Sequence, residues 1–306
     1  MAIEDLQQKI RKYKNPTMVC ICPALAELPP CVRQQAEAQY GQTLRAAAEA
    51  YRVFSFEILE ALRETVPAVS IVSGAFTALG ADGVAAMQEV LHFAADCGYY
   101  VLLDLMRNDL GAAAQMMADA CFGSVPVGEA AFTPYPCDGV LTTAFLGSDS
   151  LSPFVRYCEE GKNVFLVSRS SNKSAREVQD LLSGDRIMYQ VMADLAMRWS
   201  KEGSGRSGFR EVGISVGATS TTALKALRGR YDSLFFLVPG YGEQGAGAKD
   251  AQFAFNQLGH GAAVLAGRSI LYAYQKSNDP EIDYRTAACE AAAKMKKQLA
   301  GFVTVL

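Results

Sequence analysis

Histidine and tryptophan are nearly missing from this chain, which has two His and one Trp among 306 residues. Two histidines exclude a His-rich metal centre and leave little from which to build a His-based catalytic triad. An excess of positive charge is missing as well: 29 Lys and Arg face 32 Asp and Glu, for a net charge of −3. Without a basic face, nucleic acid is not an expected partner. No apolar run reaches the ~18–20 residues that a membrane-spanning helix requires. The opening residues, Met1 to Lys9, are polar and periodic, unlike an export signal. The eight cysteines, at Cys20, Cys22, Cys31, Cys97, Cys121, Cys137, Cys158 and Cys289, include no CxxC pair. Cys20-x-Cys22 is too close for ordinary zinc spacing, so no metal is expected. The thiols are expected to be reduced, in a cytoplasmic protein.

Half of the residues are hydrophobic and a fifth are charged. A chain of this length suits one large α/β barrel or two ordinary domains. Short apolar runs alternate with longer helical stretches. The runs are Met18–Cys22, Ala68–Val72, Tyr99–Leu103, Gly139–Thr143, Val164–Ser168, Gly213–Val216, Leu234–Val238 and Ala262–Leu265. Helices are expected from about Val32 to Arg63, and near Val84–Cys97, Ala112–Phe122 and Ile187–Lys201. Continuous apolar strands imply a sheet covered on both faces. Eight such βα units in one chain predict a (β/α)8 TIM barrel, with the whole of 1–306 as one domain; a doubly wound open sheet is the competing architecture. Lys201–Glu211, rich in Gly and Ser, is read as a loop within the barrel, and Phe132–Asp138 as an inserted loop before the fourth strand.

A barrel places its chemistry at the C-terminal ends of its strands. Two of those ends carry glycine: Pro239-Gly240-Tyr241-Gly242-Glu243-Gln244-Gly245 after the seventh strand and Gly267-Arg268 after the eighth. Glycine lets backbone N–H groups approach a ligand, and Arg268 can clamp an anion, so these loops suit phosphate. Ordinary glycine turns beside a surface arginine are the alternative. The third strand ends in Asp104-x-x-x-x-Asp109. Both carboxylates can face a pocket, but Asp109 precedes an Ala-rich helix, and from spacing alone a helix N-cap is the favoured reading.

These strand ends, together with Ser150-Leu151-Ser152-Pro153-Phe154, Gly161-Lys162-Asn163-Val164-Phe165, Ser170-Ser171-Asn172 and Val216-Gly217-Ala218-Thr219, resemble the orotidine 5'-phosphate decarboxylase family in its longer bacterial form. The resemblance runs from Pro16 to about Tyr274. It implies a (β/α)8 barrel, usually dimeric with both active sites at the interface. It also implies decarboxylation of orotidine monophosphate (OMP) to uridine monophosphate (UMP) without cofactor or metal. The family works with an alternating Lys and Asp array, whose lysine in Asp-x-Lys-x-x-Asp stabilises and protonates a ring carbanion. In this chain Met106 stands at that lysine, Ser70 at a second lysine and Cys22 at a first-strand aspartate. Ala113 stands where a threonine near the ribose is usual. Asp104 and Asp109 match the family's aspartates. Gln244, Gly267 and Arg268 match phosphate-binding positions, and Ser171 matches a pyrimidine contact.

Three readings follow. In the first, the chain holds a pyrimidine nucleoside monophosphate such as UMP or OMP, as a homodimer, without efficient turnover. In the second, it is a non-catalytic subunit that donates Asp109 to an active paralogue in a heterodimer. In the third, it is an enzyme of changed chemistry with Cys22 as nucleophile; His92 in a helix and His260 before the eighth strand are poorly placed to serve it as a base.

Overall fold

The computed structural model describes residues 2–200, 207–279 and 281–306. Eight parallel strands form a closed barrel: β1 (Thr17–Ile21), β2 (Ala68–Val72), β3 (Tyr100–Asp104), β4 (Gly139–Thr142), β5 (Asn163–Arg169), β6 (Val212–Val216), β7 (Phe236–Val238) and β8 (Ala262–Ala266). Helical turns follow each strand and form the outer layer. Closure comes from β1 beside β8, with Thr17, Met18 and Val19 opposite Val264, Leu265 and Ala266. That pairing excludes the open sheet.

The strands are apolar throughout because both of their faces are buried. Val19, Ile21, Val69, Ile71, Val101 and Leu103 pack outward against the helices. Met18, Ala68, Tyr100, Leu102, Leu141, Phe165, Phe235 and Leu265 point to the axis. Helix Ala2–Tyr13 closes the N-terminal end of the barrel, where Ile3, Leu6 and Ile10 join the axial cluster. Among the described residues, no helix is long and apolar enough to cross a membrane.

Strand boundaries differ from the sequence reading by one or two residues. The shift matters at β3, where Asp104 is the last strand residue. The expected helix from Val32 to Arg63 is two helices, Pro30–Tyr40 and Leu44–Leu62. Gly41 ends the first at φ +67°, a conformation costly for a side-chain-bearing residue, and Thr43 caps the second by accepting from the Ala46 N–H. Residues 201–206 of the Gly- and Ser-rich segment, including the expected helix end at Lys201, lie outside the described residues.

The expected insertion at Phe132–Asp138 follows a short hairpin, Val125–Val127 with Ala130–Phe132. Tyr135 N–H donates to the Ala120 carbonyl, and Asp138 accepts from the Val101 N–H. The segment therefore enters β4 from the N-terminal end, away from the mouth of the barrel.

Axial packing is tight where aromatic rings meet glycine. A Cβ on Gly213 would lie 2.6 Å from the Phe235 carbonyl oxygen and 2.7 Å from the Phe165 ring. Gly213→Ala should therefore lower stability by about 1–3 kcal/mol, read as a lower denaturant midpoint at unchanged slope. An unchanged midpoint would contradict this packing.

Candidate functional site

Side chains alternate along a strand, so every second residue of β1, β2 and β3 looks into the barrel. This places Cys20, Ser70 and Asp104 on the axial side near the C-terminal mouth, with Cys22 just beyond β1. The register confirms the layering: Cys20 is opposite Ser70, and Val72 is opposite Asp104. Beside them opens a cavity of about 440 Å³. Cys20, Cys22 and Leu265 line it from the barrel, and Gly240, Tyr241, Glu243, Gln244, Gly267 and Arg268 from the loops after β7 and β8.

The loops are shaped by close approaches. Gly240 has φ +103°, and a Cβ there would meet Ser171 Cβ at 3.1 Å and Gln244 Oε1 at 3.2 Å. A Cβ on Gly217 would lie 2.6 Å from Ser171 Cα. Ser171 and Gln244 are thus brought together around Gly240, while Gly267 and Arg268 border the same opening beside Cys20 and Cys22. Arg268 and Gln244 are exposed and free to meet a ligand. Tyr272 secures the loop after β1 by donating to the Cys22 carbonyl at 3.3 Å and accepting from the Ala24 N–H at 2.8 Å. Glu243 and Lys276 form an ion pair at the rim.

Cys20, Tyr272 and the Glu243–Lys276 pair escaped the sequence reading. The parity of Met18, Cys20 and Cys22 along β1 was the available signal for Cys20. Nothing in the sequence alone marks the others.

Asp104 is the electrostatic feature of the site. Its Oδ1 is buried and makes no hydrogen bond, and neither does the fully buried Ser70 Oγ. Ser73 Oγ donates to the Asp104 backbone carbonyl at 2.8 Å and leaves the carboxylate itself unassisted. Burial alone pushes the Asp104 carboxyl up from 3.8 to about 7. Burial and the Asp104 charge also push the Cys22 thiol up, against an opposing pull from Arg268. A raised thiol is a poor nucleophile at neutral pH. His92 and His260 do not line the cavity, and His260 Nε2 instead meets the Leu306 carbonyl at 2.7 Å.

Neither Asp104 nor the rest of the segment to Asp109 is among the residues that line the cavity. Met106 is 54% exposed with φ +47°, its N–H held by the Leu141 carbonyl at 3.1 Å. Asp109 is not the helix cap expected from its spacing. Leu110 occupies that position on helix Gly111–Phe122 with no side-chain cap, and both Asp109 oxygens accept from Arg107 Nη2 at 2.9 Å. Ala113 sits exposed in the first turn of that helix. Among the described residues, no cluster of His, Cys, Asp and Glu is arranged to hold a metal ion.

Asp104 makes folding pH-dependent. In the unfolded chain its carboxyl ionises near the ordinary 3.8, whereas the folded chain keeps the proton to about 7. Stability attributable to this residue is therefore highest at low pH, falls as pH rises from about 4 to 7, and levels off above that. Asp104→Asn removes the loss. Its advantage over the wild type should be small at pH 4 and grow to at most about 4 kcal/mol by pH 8, in denaturant melts. A difference that does not change with pH would refute the assignment.

No family model matches the chain. It is 32% identical over 302 residues to the orotidine 5'-phosphate decarboxylase of Rhodopirellula baltica, covering 97% of this chain and 98% of that one. It is 30% identical to the orotidine 5'-phosphate decarboxylase of Caldicellulosiruptor bescii over 79% of each chain. Among solved structures, the OMP decarboxylase of Leishmania donovani superposes with a TM-score of 0.70 at 27% identity, over 97% of this chain and 100% of that one.

Proposed function

The chain belongs to the orotidine 5'-phosphate decarboxylase family, and we propose that it binds a pyrimidine nucleoside monophosphate such as UMP at the barrel mouth without efficient decarboxylation. The carrying observation is the Asp104 carboxylate, buried with an unpartnered oxygen and raised to about 7 by burial alone. An ammonium beside it would pull that carboxyl down instead. The positions that match the family's lysines hold Ser70 and Met106, and the position matching its first-strand aspartate holds Cys22.

The consequence is chemical. A hydroxyl or thioether cannot offset a carbanion as an ammonium does, and a thioether has no proton to give. Losing one preorganised electrostatic group costs about 10²–10³ in rate, and losing a general acid about 10²–10⁴. An ionised Asp104 also repels the substrate carboxylate.

The binding half has better support. Gln244, Gly267 and Arg268 match phosphate-binding positions and border one cavity, and Ser171 lies against the same glycine turn. A nucleotide phosphate there meets a guanidinium, an amide and glycine backbone, with its base directed toward Cys20 and Asp104. Met106, Leu110 and Phe145, each more than half exposed, give the mouth an apolar rim suited to a dimer in which Asp109 faces the neighbouring site. No cofactor or metal enters this reading. The raised Cys22 thiol argues against the nucleophile reading.

The test is direct. Calorimetry should show UMP binding that Arg268→Ala weakens at least tenfold. OMP turnover should be at least about 10⁴-fold slower than for the Rhodopirellula baltica relative, and the Ser70→Lys, Met106→Lys double variant should turn over faster than the wild type. Turnover of OMP by the wild type at the relative's rate overturns the proposal, as does absence of UMP binding at millimolar ligand.

A further inference from the structure

Among the described residues, the charged side chains that line the cavity are two cations, Arg268 and Lys276, and two carboxylates, Glu27 and Glu243. The nucleotide reading uses only Arg268. Lys276 ends the 3₁₀ turn Ala273–Lys276, which follows the helical turn Arg268–Leu271 after β8. Its Nζ meets Glu243 Oε1, so the loop after β7 and the segment after β8 touch through opposite charges at the rim.

The backbone on both sides of that contact is held in place. Glu243 and Gln244 form the tip of a turn, in which the Gly242 N–H donates to the Ala246 carbonyl at 2.9 Å and the Gly245 N–H to the Gly242 carbonyl at 2.8 Å. Tyr241, just before the turn, donates its O–H to Gln298 Oε1 on the last helix. On the other side, the Tyr274 hydroxyl and Gln275 Nε2 donate to the Glu27 carbonyl at 2.7 and 3.0 Å. Exchange of partners therefore needs only side-chain rotation. The side chains are 69% exposed at Lys276 and 32% exposed at Glu243, and an ion pair so open to water is weakly held.

The Glu243 carboxyl is held below its ordinary range, first by its hydrogen bond from Lys276 and further by the charges of Lys276 and Arg268. Its carboxylate thus lies in the field of both cations of the cavity. A phosphate monoester makes the same demand more strongly, with nearly two negative charges and three acceptor oxygens. Phosphate and Glu243 compete for one supply of positive charge. An ammonium on a flexible four-carbon stem can turn from one to the other.

We propose that Lys276 is a second phosphate-binding cation of the mouth, occupied by Glu243 until a phosphate displaces it, so that Glu243 sets how tightly the site holds a phosphorylated ligand. This rests on the phosphate end of the nucleotide reading. It adds to Gln244, Gly267 and Arg268 one more cation and an internal competitor.

The test is calorimetric titration of the full-length protein at pH 8 with inorganic phosphate and with UMP. Glu243→Gln, which keeps the side chain's size and removes its charge, should tighten both ligands at least about threefold. Lys276→Gln should weaken both by about threefold to tenfold. Loss of the rim contact alone would move both variants in one direction, so opposite signs mark competition. The double variant separates the roles of Lys276: it should bind at least about threefold more weakly than Glu243→Gln. Equal affinities in that comparison would make Lys276 only a neutraliser of Glu243 and overturn it as a phosphate contact. Thermal melts establish that the variants are folded. A Glu243→Gln protein that binds no more tightly than the wild type overturns the competition. UMP binding without these signs leaves the nucleotide reading standing and removes the proposal. Phosphate binding with these signs, but no gain in affinity for UMP over phosphate, keeps the proposal and removes the nucleotide reading. Binding of neither ligand at millimolar concentration removes both.

Discussion

A carboxylate with a buried, unpartnered oxygen and, among the described residues, no cation pairing with it is the constraint from which the rest of this site follows. Burying an ionised group uncompensated is costly, and the chain lowers that cost by keeping Asp104 protonated to about pH 7. The same negative charge, when present, pushes up both neighbouring thiols and makes this end of the pocket unreceptive to anions. Barrel geometry makes the arrangement unavoidable. Strand alternation turns Cys20, Ser70 and Asp104 to one side, and closure through β1 and β8 brings Arg268 near enough to act on the Cys22 thiol.

The mouth thus has two halves of different character. Around β7 and β8 it is glycine-rich, open and carries a free guanidinium, which suits a phosphate. Around β1 to β3 it is thiol, hydroxyl and carboxylate. In the family resemblance the second half performs the chemistry, and under the proposed function it is the half that departs from the pattern. A barrel can vary its mouth because the strands' outward faces and the axial aromatics carry stability separately from the loops that bear function.

The strands were legible because strands of a parallel sheet covered on both faces are apolar throughout; closure was not, since an open sheet has the same runs, and the pairing of β1 with β8 decides it. The break between Tyr40 and Leu44 was missed because Ala, Glu and Gln on either side outweighed one glycine and one threonine in the composition of the stretch, although Gly41 and Thr43 are the stop and start signals. Asp109 misled because an Asp just before a helix is a common cap, whereas its actual partner, Arg107, depends on the loop's conformation. The axial placement of Cys20, Ser70 and Asp104 was recoverable from strand parity. Tyr272 and the Glu243–Lys276 pair were not, since only the closed barrel brings their segments to the mouth. The charge count hid the decisive feature: a net charge of −3 is unremarkable, while one carboxylate with a buried, unpartnered oxygen, that of Asp104, sets the electrostatics at the inner end of the mouth.

The account stands on the Asp104 carboxyl having no cation partner, and its titration measures that directly. Carbon-13 NMR of aspartate-labelled protein, assigned with Asp104→Asn, should show one carboxyl titrating near pH 7 in the ligand-free wild type. A midpoint at or below about 4, the range of exposed and cation-paired aspartates, would mean that Asp104 is solvated or compensated by positive charge, and would contradict the account.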